Sequence, residues 1–159
     1  MQPVPQLSEE EIQEGFQLAK NSPRKRFPKI LHKPGDYHNR VFNFLMKGTY
    51  MQPHRHPSEE KIEKMSLVKG SFALIFFDDN GEITKRSVLQ KKGETYIEVP
   101  AFTWHTYIML TEQVLVYETM NGKYQPKTWK ELANWAPDEE SLQASDYEKK
   151  LCEKSVDQS

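Results

Sequence analysis

The chain has 159 residues, 36% hydrophobic and 28% charged, with 3 Trp, 7 Tyr and 8 Phe; this length suits one domain that withdraws roughly two thirds of its unfolded surface from water, and the aromatic content argues against disorder throughout. Lys and Arg number 22 against 23 Asp and Glu, a net charge of -1, so no bulk charge draws the chain to nucleic acid. The single cysteine, Cys152, excludes an internal disulfide and any thiolate-rich metal site, suits a reducing compartment, and leaves metal binding to His and carboxylate.

The N-terminus, MQPVPQLSEEE, has neither the basic nor the apolar region of a signal peptide, and no run approaches the roughly 18 to 20 apolar residues that span a bilayer. The expectation is a cytoplasmic protein with no membrane partner. Ser8 and Glu11 form an S-x-x-E capping box, and Ile12, Phe16 and Ala19 follow on one helical face; a short helix ending near Asn21-Ser22-Pro23 is predicted. Residues 24–36, with the basic cluster Arg24-Lys25-Arg26, show no period and read as an extended, solvated loop.

From residue 40 the pattern changes to short β-type runs: Val41 to Met46, Ser71 to Phe77, Ile83 to Leu89, Thr95 to Val99, Trp104 to Leu110 and Val114 to Tyr117. Asp78-Asp79-Asn80-Gly81 is a hairpin signal. The run SFALIFF is apolar at both parities, as in a strand covered on both faces. Strands at roughly 10-residue spacing without intervening helices indicate an antiparallel sandwich or barrel. Thr128 and Glu131 make a second capping box before Leu132 and Trp135, predicting a helix that Pro137 breaks. The charged stretch Asp138 to Lys154 reads as helical around Leu142 and Leu151, and Cys152 to Ser159 as frayed. The division is therefore an N-terminal helix and arm over 1–39, a β-barrel over 40–120, and a C-terminal helical extension and tail over 121–159.

The stretch that carries chemistry runs from Gly48 to Gly70. In a strand, residues i and i+2 share a face, so His54 and His56 present two imidazoles to one point while Arg55 faces away. Glu63, near the start of the next run, can return a carboxylate beside them, and barrel closure can bring in His105. Three neutral imidazoles and one carboxylate suit Fe, Mn, Ni, Cu or Zn, and suit Ca or Mg poorly. Four protein ligands leave open positions on a six-coordinate ion, which Lewis-acid chemistry needs.

These residues resemble the two motifs of the cupin superfamily. The first motif is matched by Gly48, His54, His56, Glu63 and Gly70, with six residues between His56 and Glu63 where three or four are usual. The second is matched by Gly93, Pro100 and His105, with Phe102 standing where the motif has Gly. Glu60 sits at the commoner distance from His56 and competes for the carboxylate position, but only Glu63 keeps the six-residue step to Gly70. The chain further resembles the WbuC family of cupin-fold metalloproteins, known from bacterial O-antigen and polysaccharide gene clusters. That likeness rests on Ser22-Pro-Arg24, His32, Pro53-His-Arg-His-Pro57, Leu67-Val-Lys-Gly70, Phe76-Phe-Asp78, Trp104-His105-Thr106, Glu118 before Asn121-Gly-Lys-Tyr-Gln-Pro126, and Trp135-Ala-Pro137. The resemblance implies an all-β fold, a small cupin-type double-stranded β-helix or jelly-roll barrel, with a short N-terminal helix and C-terminal helical segments. It also implies a metal site.

His32 and His38 read as structural or exposed. Phe102 and Trp104 are candidates for a pocket wall or for core. Tyr107 and Tyr117 alternate with apolar residues and can turn into the barrel, and Glu118 can contact a ligand or pair with a cation. Three functions are compatible with this set: a metal-dependent enzyme acting on a small polar molecule such as a carbohydrate or sugar nucleotide, an Fe(II) dioxygenase, and a non-catalytic metal-bound binding protein. The discriminating feature is a second titratable group inside the barrel, which proton transfer requires. A homodimer through edge strands is a further expectation.

Overall fold

Ser8 starts helix α1 (Glu9–Asn21) as the capping box dictates: its hydroxyl accepts from the Glu11 N–H at 3.1 Å, and the Glu11 carboxylate accepts from the Ser8 N–H at 3.0 Å. The helix stops at Ser22, extended at ψ 139°, because Pro23 follows. The computed structural model describes residues 1–157.

Ten strands follow among the described residues: β1 (Arg26–Ile30), β2 (His38–Met46), β3 (His54–Arg55), β4 (Glu63–Lys69), β5 (Phe72–Phe77), β6 (Ile83–Leu89), β7 (Tyr96–Val99), β8 (Trp104–Met109), β9 (Gln113–Asn121) and β10 (Glu131–Leu132). They form two five-stranded antiparallel sheets, in the orders β1-β2-β9-β4-β7 and β10-β3-β8-β5-β6. The two sheets enclose an apolar interior built from alternate residues: Leu45 of β2, Phe72, Leu74 and Phe76 of β5, Tyr107 and Met109 of β8, and Val114 and Val116 of β9.

The opposite parity of β2 and β9 turns outward and meets α1, where Phe16 and Ala19 pack on Phe42, Phe44, Leu115 and Tyr117. Phe16 stands edge-on to Phe44 at 5.1 Å between centroids. Burying side chains of this size stabilises by roughly 1.5–3 kcal/mol each. The outer face of β5 (Ala73, Ile75, Phe77) is covered by Ala133, Ala136 and Leu151, so SFALIFF is apolar at both parities because both its faces are buried.

Three expectations are corrected. Residues 26–30 are a strand, not a loop: β1 pairs with β2 from Arg26↔Leu45 to Ile30↔Val41 and lies at the sheet edge, where Pro28 has no neighbour on its other side to need an N–H. Its arginine is not solvated either. Arg26 donates to the Glu139 carboxylate at 2.5 Å and to the Tyr50 carbonyl at 3.2 Å. Thr128 starts no helix; Glu131 and Leu132 instead pair with Arg55 and His54 as β10, held by a 2.8 Å Arg55–Glu131 ion pair and by Ala133 N–H donating to the Pro53 carbonyl at 2.8 Å. Partners in β3 decide that segment, and no local pattern announces them. The helix α2 (Ala144–Asp157) excludes exposed Leu142 and continues past Cys152, where fraying was expected; residues 158 and 159 lie outside the described residues.

Candidate metal centre

Two loops meet at one end of the barrel. Pro53 and Pro57 bracket β3 and limit it to two residues, and β3 pairs with β8 so that His54 stands opposite His105. Residues paired in this way put their side chains on one face. The His56 carbonyl accepts from the Phe102 N–H at 3.0 Å, which ties the His54–His56 segment to the loop before His105. Phe102 makes that turn at φ 62°, in the left-handed region, and leaves its ring exposed. Glu63, the first residue of β4, enters from the other sheet opposite Val99. Gly70 closes the β4–β5 turn at φ +84°, where a Cβ would lie 2.2 Å from the Gln113 carbonyl oxygen.

His54, His56, Glu63 and His105 are all buried, and each offers one donor atom within 4.8 Å of the others. Donors on opposite sides of a first-row ion stand about 4.2 Å apart, given bonds of about 2.1 Å, so small rotamer changes would close the set. Each imidazole is aimed by a backbone carbonyl: His54 Nδ1 lies 3.0 Å from Gln52 O, His56 Nδ1 3.0 Å from Trp129 O, and His105 Nδ1 2.8 Å from Thr103 O. A carbonyl only accepts, so every Nδ1 carries the proton and every Nε2 turns a lone pair to the centre. The Glu63 Oε2 sits there too, 3.1 Å from His105 Nε2 and 3.3 Å from His56 Nε2. Lone pairs and a carboxylate gathered in a buried space require a cation between them, either a proton or a metal ion. Burial opposes charge on Glu63, but when a proton is the cation between them, donation from the His105 and His56 rings outweighs it and holds the carboxyl well below the ordinary range. Burial, with help from His105, pushes His54 well below its ordinary value and keeps it neutral.

The cluster opens into a cavity of about 450 Å³. Its polar wall is Asn43, Tyr107 and Glu118: the Tyr107 hydroxyl donates to Glu118 Oε1 at 3.0 Å, and the Asn43 amide donates to Oε2. Burial first, and the Glu63 charge second, push the Glu118 carboxyl well above its usual value. Burial, with the negative charge of Glu118, likewise raises Tyr107. Ile30, Tyr124, Trp129 and Lys130 border the cavity on its outer side.

A model of a domain of unknown function, DUF6016, matches residues 7–89, more than half of the chain. The chain belongs to the DUF6016 family. None of the curated proteins matches it. Among solved structures, the DUF6016 chain is similar to the capsular polysaccharide assembling protein CapF from Staphylococcus aureus, at 17% identity and a TM-score of 0.56, covering 67% of this chain and 34% of that one. It is similar to an oxalate oxidase in complex with the substrate analogue glycolate, at 11% identity and a TM-score of 0.54, covering 71% and 57%. A protein from Shewanella oneidensis matches at 14% identity and a TM-score of 0.57, covering 75% and 82%. The chain thus spans about a third of CapF. These likenesses establish the fold as a cupin-type β-barrel.

The family match takes in His54, His56 and Glu63 and ends before His105. Within the DUF6016 fold, Glu60 stays at the surface, accepting from the Ser58 hydroxyl at 2.5 Å, while Glu63 joins the histidines. His32 borders the cavity but accepts the Arg40 N–H through Nδ1, and exposed His38 lies against Asn121; neither joins the cluster. Trp104 is on the outer face of β8, against Trp135 and the Arg55 guanidinium, and Tyr117 packs outward on Phe42, so neither lines the cavity. No motif in the sequence marks Asn43 or Trp129. Asn43 is a polar residue at an inward position of an apolar strand, a signal open to reading, whereas Trp129 contributes a main-chain carbonyl that no side-chain pattern reveals.

Proposed function

We propose that this DUF6016 chain is a metal-dependent cupin of the WbuC kind, in which His54, His56, Glu63 and His105 hold a divalent first-row transition ion (Fe, Mn, Ni or Zn). The observation that carries this reading is the common orientation of the three imidazoles, each with Nδ1 against a backbone carbonyl, around one buried cluster in which His56 and His105 Nε2 lie 3.3 and 3.1 Å from the Glu63 carboxylate. Such an ion supplies Lewis acidity to an oxygen of a bound small molecule. The chain supplies the rest. Glu118, which keeps its proton to higher pH than an ordinary carboxyl, and Tyr107, hydrogen-bonded to it, place a proton donor and acceptor in the same cavity as the cluster. Asn43 fixes the Glu118 carboxyl from the other side.

That pairing favours an enzyme that moves a proton on a small hydroxylated substrate, for which a carbohydrate or sugar nucleotide of polysaccharide metabolism is the class proposed. The likeness to a capsular polysaccharide assembling protein supports the choice of class. A non-catalytic sugar-binding role would use the Glu118–Tyr107 pair for hydrogen bonds to hydroxyls alone and has no need of the raised Glu118 carboxyl. Within the same proposal the protein works in the cytoplasm, as its lone cysteine suggests.

The test is elemental analysis of protein purified without added metal, for wild type and for His54→Ala, His105→Ala, Glu63→Ala and Glu60→Ala. Near-stoichiometric metal is expected in wild type and Glu60→Ala, and a loss of roughly tenfold or more in the other three. Metal-free wild type, or Glu60→Ala losing more than Glu63→Ala, contradicts the assignment.

A further inference from the structure

We propose that Lys61 is a positioning residue for the metal centre, fixing the ring of His56 through the carbonyl of Trp129; the inference rests on the metal reading above. Lys61 lies in the lengthened segment between His56 and Glu63. It is only 6% exposed, a rare setting for lysine. Among the described residues no carboxylate lies within ion-pair distance of it. Its Nζ instead donates to Thr128 O at 3.0 Å and Trp129 O at 3.4 Å, and stands 4.9 Å from the centroid of the Trp129 ring.

The Trp129 carbonyl is also the acceptor of His56 Nδ1–H. His54 and His105 take their carbonyls from Gln52 and Thr103, each two residues back in the chain, so the segment that carries the ring also aims it. His56 alone borrows its acceptor from a chain segment 73 residues away. That acceptor needs an anchor of its own. Lys61 provides it: an ammonium with three donors spans the Thr128 and Trp129 carbonyls and clamps their two successive peptide units beside the histidine. The carbonyl then selects the Nδ1–H tautomer and leaves Nε2 free for the ion.

Two readouts test this. In metal-free wild-type protein, nitrogen NMR of the His56 ring should show a proton on Nδ1, whether or not Nε2 shares one with Glu63; a ring protonated at Nε2 with a bare Nδ1 overturns the proposal without any variant being needed. Second, Co(II) affinity is measured by chelator competition for wild type, Lys61→Met, Lys127→Met and Leu151→Ala. Lys127 is exposed on the same segment, and Leu151 is buried on the far side of β5. Lys61→Met should weaken Co(II) binding about tenfold, mix the His56 tautomers and shift the Co(II) absorption bands. Lys127→Met and Leu151→Ala should stay within about threefold of wild type. Wild-type affinity with a single His56 tautomer in Lys61→Met, or an equal loss in Leu151→Ala, overturns it. If Lys61→Met does not fold, Lys61→Arg, which keeps N–H donors, takes its place: near-wild-type affinity with the Nδ1–H tautomer supports the proposal, and a mixed tautomer with unchanged affinity overturns it. Failure of wild type itself to bind Co(II) refutes the metal reading instead, and the tautomer measurement still stands.

Discussion

At the residue scale, the site is a problem of aiming donors. The i, i+2 spacing of His54 and His56 was readable because a strand's alternation is geometric, and the pairing His54↔His105 completes what two-residue periodicity begins. Glu63 was separable from Glu60 only through its step to Gly70, and the turn at Gly70 shows why that glycine is needed, since a Cβ there meets a backbone oxygen. Phe102 is the informative departure. It takes the left-handed backbone that the cupin motif assigns to glycine, which costs a side-chain-bearing residue about 1–2 kcal/mol, while its exposed ring recovers little by packing. Phe102→Gly should therefore be more stable than Phe102→Ala by about 1 kcal/mol in urea unfolding, the reverse of the usual order of these residues. An Ala variant as stable as the Gly variant would show that the turn relaxes out of the left-handed region.

At the element scale, what is local was legible and what depends on distant partners was not. The start of α1 follows from Ser8 and Glu11 alone, and both hydrogen bonds form. Gly15 in the same helix has a reason only tertiary structure gives: a Cβ there would lie 2.3 Å from the Phe44 ring. An alanine in a helix normally gains about 1 kcal/mol over glycine. Gly15→Ala should nevertheless destabilise the protein by roughly 1–3 kcal/mol, because α1 must lift from β2. A higher melting temperature for this variant would mean that the helix rides less closely on the sheet. Strand β1 is not legible in the sequence because an edge strand containing Pro28 and half-exposed residues carries no clean alternation. Glu131 likewise fits a capping box on paper, yet its carboxylate is engaged by Arg55 across the β3–β10 pair.

At the scale of the whole molecule, the segments outside the two-sheet body are fastened back to it. Glu139, ahead of α2, receives Arg26 of β1 at 2.5 Å and Arg24 at 3.0 Å. Burial works to raise its carboxyl, but Arg26 and then Arg24 prevail and lower it. A depressed folded-state value adds stability above the ordinary carboxyl range and loses it as the pH falls through the lowered value. Glu139→Gln should thus cost about 1 kcal/mol at pH 7, allowing for solvent screening of a half-buried pair, and the gap should narrow as the pH is taken from 7 to below the lowered Glu139 value. A deficit unchanged between those pH values would assign the effect to packing rather than charge. Cys152, set in the cluster behind β5 with burial pushing its thiol up to about 12, has the features of a packing residue.

The barrel brings His54 and His105 of one sheet, with His56 just beyond β3, against Glu63 of the other, so the cluster exists only when both sheets close. The most direct measurement is anomalous diffraction from crystals of the protein as purified, at the absorption edges of Mn, Fe, Ni and Zn. The account predicts one strong peak within bonding distance of the three Nε2 atoms and the Glu63 carboxylate. Density with no anomalous signal there, or a peak held by residues other than these four, would contradict it.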